Sequence, residues 1–165
     1  MTNKGKPQFH AHPIEPIFST DSEILILGSF PSVQSRADCF YYAHPQNRFW
    51  RTLALLWETP IPESKEEKIE FLLSHRIALW DVLASCELVG SSDSTISHAK
   101  PNDLSRILSV ASIKRIFVNG KTAEKYYMKY LYASTEIMPI VLPSTSPANA
   151  AWSQEKLKEA WEKIK

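Results

Sequence analysis

The sequence predicts an α/β sandwich built on a short, mainly parallel sheet of four strands. Strand-length apolar runs alternate with amphipathic helical stripes along most of the chain. The first run, Glu23-Ile24-Leu25-Ile26-Leu27-Gly28, is continuously apolar in its middle, as a strand covered on both faces is. A chain of 165 residues, 44% apolar and 22% charged, suits one domain with one core.

Residues 1–20 are polar and carry several prolines, so they read as an N-terminal arm laid over the surface; residues 21–165 form the domain. After the first strand comes a polar, aromatic-rich loop from Ser29 to about Gln46. Phe49, Trp50, Leu53, Leu56 and Trp57 recur at helical spacing. Ser64-x-x-Glu67 is a capping box, and Ile69, Leu72 and Leu73 continue the helix behind it. Ile77 to Trp80 reads as the second strand. From Ala84 to Pro101 the chain is polar and serine-rich and reads as a long loop. Leu104, Ile107, Leu108 and Ala111 make a further helix. Arg115 to Val118 is the third strand, closed by the turn signal Asn119-Gly120. Ala123, Tyr126, Tyr127, Tyr130 and Leu131 share one helical face. Ile137 to Leu142 is the fourth strand, with Pro139 arguing for an edge. Leu157, Ala160, Trp161 and Ile164 stripe a last helix capped by Ser153.

Several function classes are set aside by composition. No segment approaches the ~20 consecutive apolar residues that span a bilayer, and the N-terminus has no apolar signal core, so a cytoplasmic protein is expected. Cys39 and Cys86 are too few and too far apart for a structural zinc site and read as reduced thiols. Nineteen basic and eighteen acidic residues leave a net charge of +1. That balance does not advertise a nucleic-acid partner, yet backbone amides and helix N-termini can hold phosphates locally.

In an open parallel sheet the ligand crevice lies beyond the carboxyl ends of the strands. Four loops are therefore the candidates, after Leu27, Trp80, Val118 and Leu142. The first, Gly28-Ser29-Phe30-Pro31-Ser32, combines a glycine for close backbone approach with a stiffening proline; it has neither the Walker pattern nor dinucleotide-binding glycines. The stretch Tyr41-Tyr42-Ala43-His44-Pro45-Gln46-Asn47-Arg48 crowds aromatic, imidazole, amide and guanidinium groups before a helix. Aromatic faces can sandwich an extruded base, and amides can read its edge. Arg48 is a candidate phosphate contact, as is Lys121 with Thr122 at a helix start. Ser144, Thr145, Ser146 and Asn149, stiffened by Pro143 and Pro147, suit phosphate or groove contact. Asp81 stands at a strand end, where it either shapes a pocket or caps a loop.

Together, Gly-Ser-Phe-Pro-Ser after the first strand, Tyr-Tyr-Ala-His-Pro-Gln-Asn-Arg-Phe-Trp from Tyr41, and Leu-Pro-Ser-Thr-Ser-Pro from Leu142 resemble the uracil-DNA glycosylase superfamily. Leu79-Trp80-Asp81-Val82-Leu83 and Phe117-Val118-Asn119-Gly120 are similar to its hypoxanthine-DNA glycosylase branch. The resemblance runs from about Ile24 to Asn149. It implies a three-layer α/β/α sandwich and a monofunctional DNA glycosylase of base excision repair. Such an enzyme flips a deaminated base, hypoxanthine first, out of double-stranded DNA and hydrolyses its N-glycosidic bond without cofactor or metal, as a monomer. It also implies that Gly28 to Ser32 line the base pocket and that Ser144 to Asn149 lie along the DNA. Many members place a water-positioning Asn or Asp inside the first motif, where this chain has Phe30. The resembling branch places its catalytic amide at Asn47, with Asp38 in reserve. Phe30 or Tyr42 would stack on the flipped ring, the Ser29–Phe30 amides would donate to the departing base, and His44 would meet the base or a phosphate.

Three other readings compete: an enzyme preferring uracil or a mismatched thymine, a lesion-binding module without catalysis, and a metal-dependent hydrolase using His44, His98 and Asp81.

Overall fold

The structure, a computed structural model, describes residues 5–90 and 92–165. Its elements in chain order are β1 (Gln8–Ala11), β2 (Ile24–Gly28), α1 (Val33–Asp38), α2 (Phe49–Leu56), α3 (Lys65–Ser74), β3 (Ile77–Asp81) and β4 (Leu83–Leu88). There follow β5 (Ser97–Pro101), α4 (Ser105–Leu108), β6 (Arg115–Asn119), α5 (Lys121–Tyr130), α6 (Tyr132–Thr135), β7 (Ile140–Leu142) and α7 (Gln154–Trp161).

The four expected strands form one parallel sheet in the order β3-β2-β6-β7, flanked by helices. Every residue of β2 and of β3 is buried, which is why both read as unbroken apolar runs. The register pairs Gly28 with Asp81, Leu27 with Val118, and Asn119 with Leu142. All four carboxyl ends therefore finish at one level. The edge strand β7 is shorter than the apolar run suggests, because Ile137 to Pro139 run outside the ladder before it.

Local signals explain the helix starts. Ser64 accepts from the Glu67 N–H at 3.0 Å, while the Glu67 carboxylate accepts from the Glu63 N–H at 2.9 Å. Ser153 likewise accepts from the Lys156 N–H at 3.2 Å. Helices α2 and α7 pack through Phe49 and Trp161, edge to face at 5.8 Å. The Trp161 indole also donates to the Pro143 carbonyl at 3.0 Å, fixing the root of the last loop.

Two regions differ from expectation. The serine-rich stretch from Ala84 to Pro101 is mostly a hairpin, β4 and β5, with a single helical turn at Asp93–Thr95 between the strands. Its polarity hid it: β5 alternates half-buried with exposed residues, and β4 carries register shifts at Leu83, Ser85 and Glu87. The segment read as an arm is woven into the fold. Strand β1 pairs antiparallel with β4, giving a second sheet in the order β1-β4-β5. Ile14 and Ile17 are core residues. Ile17 exchanges backbone hydrogen bonds with Leu79 at 2.9 and 2.8 Å, which covers the free edge of β3. Its first four residues lie outside those described. A smaller difference is α1, a six-residue helix inside the first loop, capped by Ser32.

Trp161→Ala is expected to destabilise the fold by about 3–5 kcal/mol, since it empties a fully buried site under two elements. Denaturant unfolding measures this, and a loss under 1 kcal/mol (roughly the effect of a surface change) contradicts the packing described. The two thiols should also separate. Cys39 is exposed, whereas burial pushes the Cys86 thiol up to about 11. Native protein at neutral pH should therefore react with one equivalent of a thiol reagent, at Cys39, and with two once unfolded. Two fast equivalents in the native state contradict it.

Candidate active site

The chain passes from β2 to β3 on one side, then crosses to β6 on the other. The loops therefore diverge above β2 and β6, and a crevice of about 650 Å³ opens there. All four expected loops contribute to its walls. At its floor, a side chain on Gly28 would bring Cβ within 2.4 Å of Asp81 Oδ1 and 3.0 Å of the Tyr42 hydroxyl. Only glycine leaves those two oxygens room.

The first loop is locked rather than loose. Ser32 accepts from the Ser35 N–H at 3.2 Å and starts α1. Ser29 Oγ donates to Asp93 Oδ2 at 3.1 Å, joining this loop to the hairpin turn. Phe30 is buried, edge-on to His12 at 6.1 Å, with the Arg36 guanidinium 5.6 Å above its ring. One face of Phe30 is thus already covered.

The second loop brings Tyr42, His44 and Asn47 to the crevice wall. Tyr42 stacks on Phe49 with ring centres 4.0 Å apart, leaving one ring face for a ligand. Its hydroxyl accepts from Asn119 Nδ2 at 3.2 Å. Burial first, then the charge of Asp81, raises the Tyr42 pKa, so the hydroxyl keeps its proton. Asn47 Oδ1 accepts from the Phe49 N–H at 2.9 Å, which fixes the amide at the start of α2. His44 Nδ1 accepts from the Gln46 N–H at 3.1 Å, so Nε2 is the nitrogen left to donate.

Arg48 behaves otherwise than its sequence suggests. Its guanidinium donates to the carbonyls of Trp152 and, at 3.1 Å, of Asn149, while its backbone N–H donates to Thr145. These bonds staple the last loop to α2. The loop itself is built from short polar bonds: Ser144 Oγ to the Ser146 N–H, Ser146 Oγ to the Ala148 N–H, and Asn149 Nδ2 to the Ser144 carbonyl. Thr145 is fully buried at its root, so it holds the loop and does not face solvent. Asn119 Oδ1 accepts from the Thr145 N–H at 3.1 Å, and Asn119 Nδ2 donates to Thr145 Oγ1 at 3.0 Å. Ser144 and Ser146 line the mouth of the crevice, as does exposed Lys121 at the start of α5. Gly120, at φ 96°, lets α5 start against Ser144.

The carboxylate held in reserve, Asp38, is placed differently from expectation. Asp38 ends α1 in solvent, bound to Gln34 Nε2 at 2.9 Å, and is not part of the crevice wall. Asp81 and Asp93 are. Exclusion of water raises the Asp93 pKa, the Ser29 hydroxyl opposes this, and the Asp81 charge adds to it. Asp81 is 4% exposed and accepts from His12 Nε2 at 2.7 Å. The strand-end rule pointed at Asp81; nothing local marked His12, which arrives from the N-terminal segment. His98 pairs with Glu87 on the hairpin at 3.0 Å, so it is not grouped with His44 and Asp81.

The result is a slot with one free aromatic face, polar groups along its floor and small hydroxyl residues at its mouth, dimensions and chemistry suited to a single extruded base. Residues 15–165 match the family model described as the uracil DNA glycosylase superfamily. The chain is 35% identical over 150 residues to a hypoxanthine DNA glycosylase of Methanosarcina acetivorans, covering 90% of this chain and 93% of that one. It is 34% identical over 113 residues to a hypoxanthine DNA glycosylase of Methanosarcina barkeri, covering 67% and 72%. A solution NMR structure from Methanosarcina acetivorans, described as a candidate uracil DNA glycosylase, superposes with a TM-score of 0.78 at 30% identity, covering 95% of this chain and 99% of that one. The chain belongs to the uracil DNA glycosylase superfamily.

Proposed function

We propose that this DNA glycosylase excises hypoxanthine from double-stranded DNA and leaves an abasic site. The observation that carries the reading is the convergence of Tyr42, His44 and Asn47 on one crevice, with the loop of Ser144 and Ser146 at its mouth. A relative named for the same substrate, at 35% identity, supports the choice of base.

Cleavage of the N-glycosidic bond passes through a sugar with oxocarbenium character, so no strong nucleophile has to be made. Water adds its oxygen to C1′ as the C1′–N9 bond breaks, the electron pair of that bond leaves with the base, and the proton lost by the water ends on the departing base, giving an abasic sugar and free hypoxanthine. Asn47 has one lone pair of Oδ1 engaged by the Phe49 N–H; the second is available to orient the water. Because that bond fixes the amide, little reorganisation is needed at the moment of reaction. His44 Nε2–H and the amides of the Ser29–Phe30 turn are the donors for charge developing on the base. Tyr42, backed by Phe49, provides the stacking platform. Lys121, Ser144 and Ser146 meet the flanking phosphates, and the enzyme works as a monomer in the cytoplasm.

Single-turnover cleavage of duplexes holding one deoxyinosine or one deoxyuridine, in EDTA, tests this. Wild type should give alkali-labile breaks at inosine, and Asn47→Ala should be slower by about 100-fold or more. Intact strands at both bases refute the reading. Binding offers a second check. Lys121→Ala should reduce the salt slope of affinity by about 1, the mark of one lost phosphate contact. Arg48→Ala should weaken binding without changing the slope, since the Arg48 N–H groups are engaged by carbonyls of the protein rather than by phosphate. Equal slopes for Lys121→Ala and wild type exclude that contact.

A further inference from the structure

We infer that Arg36, on the wall of the crevice, pairs with the N7 and O6 edge of the flipped hypoxanthine and shares the charge left on the purine as it departs. This rests on the crevice being the base pocket.

Arg36 lies on α1 and lines the crevice, half-buried. It forms no ion pair among the described residues: Asp81 is taken by His12 and Asp93 by Ser29. Its Nη1 is buried and has no hydrogen-bond partner among those residues. The neighbours that feel its charge supply no anion. Burial, then Arg36, holds the His10 pKa below its usual value, which keeps that ring neutral at neutral pH. Burial pushes the Cys86 thiol up to about 11 against the pull of Arg36. What holds the guanidinium is the Phe30 ring, 5.6 Å from it. A partly buried cation without a counter-charge is costly, so a ligand that brings electron-rich acceptors to it relieves that cost.

Position selects between the acceptors that DNA offers. Phe30 stands edge-on to His12 at 6.1 Å, and His12 bonds Asp81, which crowds Gly28 at the crevice floor. Arg36 is therefore one ring away from the floor residues, whereas Lys121, Ser144 and Ser146 stand at the mouth. Phosphates stay with the duplex at the mouth; the base goes in. A purine with oxygen at C6 carries adjacent acceptors at O6 and N7, spaced to suit the planar guanidinium fork. Adenine turns an amino donor toward it in place of O6, and uracil has no nitrogen in the place of N7. Arg36 thus favours a deaminated purine over both. Guanine shares this edge, so its exclusion lies elsewhere.

The same contact strengthens during cleavage. The electron pair of the C1′–N9 bond passes into the five-membered ring and is shared between N9 and N7, while Arg36 keeps all its protons. A fixed cation at N7 is therefore worth more as the bond breaks than when the intact nucleotide is bound. It adds to the donors at His44 and in the first loop.

Duplexes carrying 2′-fluoroarabino deoxyinosine or its 7-deaza counterpart resist cleavage and differ only at N7, so their affinities isolate the contact. Affinity, its salt slope and thermal melting are measured for wild type, R36K and R36Q, with single-turnover cleavage of deoxyinosine alongside. Wild type should prefer the analogue that keeps N7 by about 10-fold, and R36Q should reduce that preference below about 3-fold. R36K, which keeps the charge but not the fork, should fall between them. Cleavage of deoxyinosine should slow by roughly 10–100-fold in R36Q, at an unchanged salt slope of binding. A preference retained in full by R36Q, or absent from the wild type, overturns the assignment. A salt slope smaller by about 1 in R36Q makes Arg36 a phosphate contact and overturns it equally. If R36Q fails to fold, R36K decides: a loss of affinity equal for the two analogues contradicts the pairing. Failure of the wild type to cut deoxyinosine at all refutes the glycosylase reading instead, so the two failures are distinct.

Discussion

One side-chain amide, that of Asn119, ties together three of the segments that define the crevice. Its oxygen accepts from the Thr145 backbone, and its nitrogen donates to the Thr145 hydroxyl and to Tyr42. Each partner lies at the end of a different stretch of chain, and Thr145 is fully buried. Removing the amide would strand a buried N–H and two hydroxyls, at about 1–3 kcal/mol for each group left without a partner. The position is available because β6 sits at the topological switch point, with β2 on one side and β7 on the other. Backbone topology creates the crevice, and the Asn119 amide joins two of its walls.

Rigidity runs outward from that point. Tyr42 is held by Phe49 on one face and by Asn119 at its tip. Phe49 starts α2 under an N–H bond to Asn47 and packs on Trp161, which in turn holds Pro143 at the foot of the last loop. Arg48 closes the circuit by gripping the carbonyls of Asn149 and Trp152. Tyr42, the Asn47 amide and the last loop are thus one packed unit. On the proposed reading, a base entering the slot meets side chains already oriented, so little of the binding energy is spent on ordering them.

The parallel sheet was legible because buried strands read as bare apolar runs, and the crevice was legible because strand ends in such sheets collect ligands. The helix starts at Ser64 and Ser153 were legible because capping is local. What failed was nonlocal. The β4–β5 hairpin uses serine and alanine where strands usually carry branched residues, so its strands carry little of the usual sequence signal. Strand β1 is mostly exposed and shows no apolar pattern. Arg48 has the composition of a phosphate contact, yet carbonyls about a hundred residues away in sequence occupy its N–H donors. Asp38 and Asp81 look alike as letters; only the fold turns one outward at a helix end and buries the other beside His12.

The central claim is that the crevice between the ends of β2 and β6 receives the flipped base. It is tested most directly by a structure of the wild-type protein on a duplex carrying a 2′-fluoroarabino analogue of deoxyinosine, whose fluorine slows cleavage by disfavouring the cationic sugar. The account predicts hypoxanthine in the crevice, stacked on the free face of Tyr42, with Asn47 nearest C1′. Hypoxanthine still stacked in the duplex, or bound outside the Gly28–Asn119 crevice, would contradict it.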